Sequence, residues 1–240
     1  MPKRAILITA IFLSLTLAGC QSHKQSSVTS ATSTTSSTSS TKTPEKAASD
    51  QANMKPYQVP KAEKEKHQYQ KSGVLRLPGQ FSYDQAGTKL TLKSTDALTR
   101  KTSRQLLSYR LTRVKQITNH AKTQKAKQMA EQAFNLAKLP NPYQTIQLTF
   151  TVRNQRSKPV AIDGIKKIKL NQSLINTGNS LSDASAGQVI GAHQSKQFTA
   201  MILVGPTNLK VKTMTVQFSG AYSQSGQQLS AAPAAISITL

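Results

Sequence analysis

The chain has 240 residues, enough for one large domain or two small ones. Lys and Arg number 32 against nine Asp and Glu, a formal charge of +23, and only 37% of residues are hydrophobic. The apolar density sits in short runs, which excludes a multi-span membrane protein, and a single Cys excludes an intrachain disulfide framework and a Cys-based zinc site.

Lys3 and Arg4 precede an apolar run from Ala5 to Leu17. As a helix this run spans about 20 Å, short of the ~30 Å hydrocarbon core, so it reads as an export signal and not as a permanent span. It ends in Leu17-Ala18-Gly19-Cys20. Small residues open the backbone to a peptidase, and the thiol can be alkylated. The segment resembles the lipobox of bacterial lipoprotein signal peptides. The resemblance implies that residues 1–19 are a lipoprotein signal peptide, cleaved between Gly19 and Cys20. It also implies a diacylglyceryl thioether on Cys20. Two acyl chains anchor a protein stably where one does so only marginally. The expected address is the extracytoplasmic face of a cell membrane, with the membrane itself as one partner.

Residues 26–43 contain 15 Ser or Thr out of 18, and Pro44, Pro56 and Pro60 follow among mixed charges. Such a stretch buries too little apolar surface to offset its ordering entropy. Residues 20–66 therefore read as the lipidated Cys followed by a disordered Ser/Thr-rich linker. Long polar tethers of this kind suit a lipoprotein facing a thick, Gram-positive wall.

From residue 67 the signals are mainly strands. Weaker candidates lie at 73–77, 88–93 and 107–117. Residues 121–138 break the pattern, being rich in Ala, Lys and Gln. Ala126, Met129, Ala130, Ala133, Phe134 and Ala137 form a narrow apolar stripe, and Pro140 and Pro142 follow. This predicts a helical insert on the domain surface, with a partly ordered basic loop as the alternative. The clearest strand is 145–153, where Ile146, Leu148, Phe150 and Val152 alternate with Gln147, Thr149, Thr151 and Arg153. Further candidates are 165–170 and 196–204. In 209–218 the apolar parity changes between Val211 and Met214, which predicts a β-bulge near Thr213. Ile236, Ile238 and Leu240 alternate with Ser237 and Thr239 at the C-terminus.

Many short strands separated by turns imply an all-β, two-sheet domain over 67–240. The stretch Ile146 to Ile162 carries a hydrophobic strand, then Asn154, then the turn Lys158-Pro159-Val160. A Gly-led strand follows from Gly191 to Phe198. This resembles the immunoglobulin-like domain of unknown function found in Gram-positive lipoproteins and secreted antigens. The resemblance covers roughly residues 88–240. It implies an immunoglobulin-like β-sandwich in which the helical insert enlarges a variable loop. It implies little about function, since sandwiches host many activities.

Enzyme signatures are missing: there is no GxGxxG, Walker loop, GxSxG or HExxH. The SxxK spacing from Ser39 to Lys42 lies in the linker. Asp84, Asp96, Glu131, Asp163 and Asp183 are too scattered to suggest a paired-carboxylate hydrolase. His193 near Asp183 and Ser185 reads as a turn residue, and His67, His120 and His193 show no metal-ligand spacing. No enzyme activity, metal or cofactor is expected.

Charge is the one strong feature. Residues 67–240 hold 23 Lys or Arg against five acids, and ten of the bases fall in 100–138. The candidate polyanion-binding set is Arg100, Lys101, Arg104, Arg110, Arg113, Lys115, Lys122, Lys125 and Lys127. A second group is Arg153, Arg156, Lys158, Lys166, Lys167 and Lys169. Such density attracts polyanions. Outside a bacterium these are anionic lipids and phosphate-bearing wall polymers. Nucleic acid fits poorly, because the basic run holds only Tyr109 and Phe134 as stacking aromatics. The expected function is a non-enzymatic binding or adhesion module for anionic envelope polymers or a protein partner. The alternatives are an accessory subunit of an envelope complex, a wall-polymer hydrolase, and a charge that only suits an anionic matrix.

Overall fold

A computed structural model describes residues 55–105 and 107–240; the expected signal peptide, Cys20 and the linker up to residue 54 lie outside the described residues. The described chain is all-β, with antiparallel ladders. In order come the helix α1 (Lys61–Lys64), then β1 (Phe81–Tyr83), β2 (Thr88–Ala97), β3 (Lys101–Arg104) and β4 (Leu107–Ala121). The helix α2 (Gln124–Ala133) precedes β5 (Tyr143–Asn154), β6 (Val160–Asp163), β7 (Ile165–Leu170) and β8 (Ser173–Ile175). The helix α3 (Thr177–Ser180) leads to β9 (Leu181–Asp183), β10 (Ala186–Ile190) and β11 (Ser195–Pro206). Last are β12 (Thr213–Phe218), β13 (Ala221–Tyr222), β14 (Gln228–Ser230) and β15 (Ile236–Thr239).

The large sheet runs β1-β2-β4-β5-β11-β9, with β3 also paired to β4. Two four-stranded sheets, β10-β6-β13-β14 and β15-β12-β7-β8, share one core with its inner face. The period-2 pattern of β5 explains the layering. Ile146, Leu148, Phe150 and Val152 are fully buried, while Arg153 is exposed. They meet Ile168, Val216 and Phe218 from one small sheet and Val160, Ile162 and Ile190 from the other. Each such burial contributes roughly 1.5–3 kcal/mol. Tyr109 stacks on Phe218 with centroids 4.3 Å apart, and Phe150 packs on the same ring at 4.9 Å. The Tyr109 hydroxyl donates to Ser219 O at 3.0 Å, and burial pushes its pKa up to about 12.

Several expectations change. Residues 73–77 are not a strand: they cross the outer face of the large sheet, where Leu75 is buried against Leu92 and Ile117. In 209–218 the strand begins only at Thr213, and the register irregularity lies at Gln217/Phe218. The cause is Asn171. Its Oδ1 accepts from Lys212 N at 2.8 Å and Thr213 N at 3.2 Å, and its Nδ2 donates to Lys210 O at 2.7 Å. A side chain thus takes the place of a ladder before Thr213, so the parity change marks strand entry. Asn171 and Gln172 both have positive φ (50° and 84°), as a two-residue hairpin between β7 and β8 requires.

The insert is ordered, but its helix is shorter than 121–138. Thr123 caps α2 by accepting from Ala126 N at 3.0 Å, and its hydroxyl donates to Ala86 O at 2.7 Å. Ala126, Ala130 and Phe134 from the expected stripe are buried. Phe134 meets Tyr143 edge-on, beside Leu139 and Leu203. Tyr143 shares its face with Thr145 and Gln147, so α2 covers the outer face of the large sheet at one end. Residues 55–66, assigned to the linker from composition, also pack on the domain. Tyr57 N donates to Gln85 O at 2.9 Å and its ring stacks on Tyr83.

Asn154, fully buried, ties the end of β5 to its neighbours. Its Nδ2 donates to Lys158 O (2.9 Å), Gly191 O (3.0 Å) and Ile190 O (3.2 Å), and its Oδ1 accepts from Arg156 N (2.9 Å). Substituting Asn154→Ala removes these four bonds at a fully buried position, and of the three carbonyls Gly191 O keeps the backbone N–H of Gln194. The expected loss is about 3 kcal/mol, read as a lower midpoint in urea unfolding.

Candidate functional site

The outer face of the large sheet brings together Lys101, Arg110, Arg113, Lys115 and Arg153, while Lys166, Lys167 and Lys169 lie on β7 of a small sheet. In β4 the pairing with β5 is regular to Leu111 and resumes at Arg113, so Thr112 is an extra residue. The bulge reverses parity, and Arg110 before it and Arg113 and Lys115 after it all leave the core side. Without it Arg110 and Arg113 would face opposite ways. The Thr112 hydroxyl donates to Thr149 O at 3.1 Å, fixing the bulge.

Cross-strand register sets the pattern. Lys101 lies opposite Arg110, which lies opposite Thr151. Arg113 lies opposite Thr149, and Lys115 opposite Gln147. Thr149 lies opposite Thr199 on β11, and Thr151 opposite Gln197. Arg153, from the second basic group, joins the same face opposite Ser108. Its alternation with Gln147, Thr149 and Thr151 was the signal that could have placed it there. Among the described residues Lys101, Arg110, Arg113 and Arg153 form no ion pair. The directly opposed like charges of Lys101 and Arg110 destabilise the sheet by roughly 0.2–1 kcal/mol.

The nine candidate residues do not form one patch. Arg100 precedes β3 and Arg104 ends it beside the hairpin tip, both exposed. Lys115 is committed: its Nζ donates to Leu75 O at 2.9 Å, and burial, then Arg113, lowers its pKa. Lys122, Lys125 and Lys127 belong to the start of α2. Between Arg113 and Ala121 β4 rises about 26 Å, several Debye lengths at physiological salt. Lys127 lies 4.0 Å from Glu131, and Lys122 donates to His120 Nδ1 at 3.0 Å. Burial, then the charges of Lys122 and Lys89, lowers the His120 pKa.

Asp183, Ser185 and His193 do not assemble a catalytic group. Asp183 Oδ1 accepts from Ser185 N (2.8 Å) and Oγ (2.7 Å), and its Oδ2 accepts from Ile165 N (2.7 Å). His193 sits at φ 56° in a turn, with its N–H on Arg156 O. Asp183 therefore clamps the β6–β7 corner. Gly164 is needed there, because its φ is +68° and a Cβ would collide with Asp183 Oδ2.

A second charged centre holds residues 55–66. Glu63 accepts from Lys66, from Lys89 Nζ at 2.6 Å and from the Tyr83 hydroxyl at 3.1 Å. Lys89 also lies 3.9 Å from the centroid of the Phe81 ring. The hydrogen bonds from Lys66 and then Lys89 hold the Glu63 carboxyl down at about 2. Burial, then the bond to Glu63, pushes the Tyr83 hydroxyl up.

No family model, curated protein or solved structure matches the chain.

Because the Glu63 pKa is depressed in the folded state, its stabilisation is complete above the ordinary value of 4.5 and is lost as pH falls toward 2. Glu63→Gln is expected to lower stability by about 1 kcal/mol at pH 7, a figure reduced for solvent screening. The gap to the native chain should close between pH 4.5 and 2. Thermal melts across that range check this, and a gap independent of pH rules the ion-pair account out.

Proposed function

We propose that the chain is a lipid-anchored protein on the extracytoplasmic face of a Gram-positive cell membrane. Its β domain is an immunoglobulin-like sandwich that binds anionic envelope polymers without chemistry. The anchor rests on Leu17-Ala18-Gly19-Cys20 and on the apolar run before it. The binding role rests on one observation: Lys101, Arg110, Arg113 and Arg153 share the outer face of the large sheet without an acid partner among the described residues. Each cation near an anionic surface contributes about 1 kcal/mol. Individual contacts are weak, and a polymer that spans several of them is retained by multivalency.

The fold supports a binder over a hydrolase. Asp183 spends both oxygens on backbone and Ser185 donors, and Glu63 spends its own on Lys66, Lys89 and Tyr83. Neither is poised as a general acid or base.

The full chain is titrated onto purified envelope fractions at low and high salt. Arg110→Glu with Arg113→Glu is expected to weaken low-salt binding at least about 30-fold, the loss of two cations at ~1 kcal/mol each before the added negative charges are counted. Reversing Lys122, Lys125 and Lys127 tests the start of α2 separately and should have the smaller effect. Binding that resists salt and ignores Arg110 and Arg113 would instead identify a protein partner.

A further inference from the structure

The part of the outer face that residues 73–77 and α2 leave uncovered carries a second pattern beside its charge. Neutral hydroxyls stand directly across the strands from the cations: Thr151 opposite Arg110, and Thr149 opposite Arg113 with Thr199 beyond it. The side-chain hydroxyls of Thr149, Thr151 and Thr199 make no intramolecular hydrogen bond among the described residues, and all three are only partly buried. They are free to pair with a ligand. Gln147 lies on the same face, on β5.

Among the described residues, no uncovered aromatic ring lies on β3, β4, β5 or β11 beside these cations. Tyr143 is the ring that β5 turns to this side, and Phe134 at the end of α2 covers it. Strand-tracking nucleic-acid surfaces depend on aromatic platforms for base stacking. Pyranose rings are likewise gripped by stacking their C–H faces on aromatics. A face without them discriminates against bases and sugar rings alike. Arginine forks, in contrast, match phosphate oxygens in a bidentate way. Arg110 and Arg113 lie roughly 7–10 Å apart along the bulged strand. That separation is comparable to the reach of a short polyol joining two phosphates.

We infer that the outer face selects a polyol phosphate polymer, an anion chain of phosphodiesters joined by small hydroxylated carbon units. The arginines take the phosphates and the threonines take the polyol hydroxyls. This rests on the anion-binding reading above and narrows it to one ligand class.

The test compares three soluble probes of matched length and charge on the immobilised full chain: poly(glycerol phosphate), polygalacturonate and single-stranded poly(dT). Poly(glycerol phosphate) is expected to bind about 10-fold tighter than the other two, the effect of one or two extra hydrogen bonds. Thr149→Val with Thr199→Val removes hydroxyls without touching charge. It should reduce that preference to within about 2-fold and leave polygalacturonate binding unchanged. An unchanged melting temperature shows that the variant is folded. Equal binding of all three probes, lost in Arg110→Glu with Arg113→Glu, overturns the ligand class and keeps the anion-binding reading. Equal binding that survives the charge reversal overturns that reading as well. Phosphatidylglycerol vesicles that displace the polymer at lower phosphate concentration make the ligand a lipid surface and overturn the proposal.

Discussion

The packing of Tyr109 and Phe150 on Phe218 is the contact on which the rest of the domain depends. It joins the two central strands of the large sheet to β12 of a smaller one. Once that side of the sheet is committed to the core, alternation turns the other side outward, where residues 73–77 and α2 cover part of it and leave Arg110 and Arg113 exposed. Every residue available for recognition on β3, β4, β5 and β11 follows from this choice. The bulge at Thr112 is its local correction. It lets Leu111 and Val114 both reach the core although they are three residues apart. The same shift turns Arg110 and Arg113 outward together.

The sequence is most legible where one face of a strand is fully buried. In β5 and β15 the alternation needs no knowledge of partners, and residues 145–153 and 236–239 fall where the pattern puts them. Legibility fails where a distant group replaces a local rule. Asn171 occupies the backbone of residues 210–213, so the strand starts late. Leu75 is buried by Leu92 and Ile117, which no window around residue 75 contains. Residues 55–66 have a linker's composition, and their order comes from Tyr83 and Lys89, some 20 residues away.

The candidate basic residues show the same division. Reading along the chain groups charges by proximity in number, which joins Arg100 to Lys127. Pairing in the sheet groups them by register, which separates Lys122, Lys125 and Lys127 and brings Arg153 in. The face that results is under electrostatic tension. Lys101 and Arg110 oppose each other without an ion pair among the described residues, so the domain carries a small repulsion there that a neighbouring anion would relieve. Of the five acids after residue 66, Glu131 is the one found in an ion pair among the described residues, and its partner is Lys127.

The docking of residues 55–66 also has a mechanical meaning. A pull transmitted along the backbone from its N-terminal side reaches Tyr57 and Glu63 before it reaches any strand of the large sheet. One ring stack, one backbone hydrogen bond and one shared carboxylate hold this segment, far fewer contacts than the antiparallel ladders behind it. Fully extended, the twelve residues so released span at most about 40 Å. Under such a pull the segment would be the first to let go, lengthening the reach of the domain before the sheets are loaded.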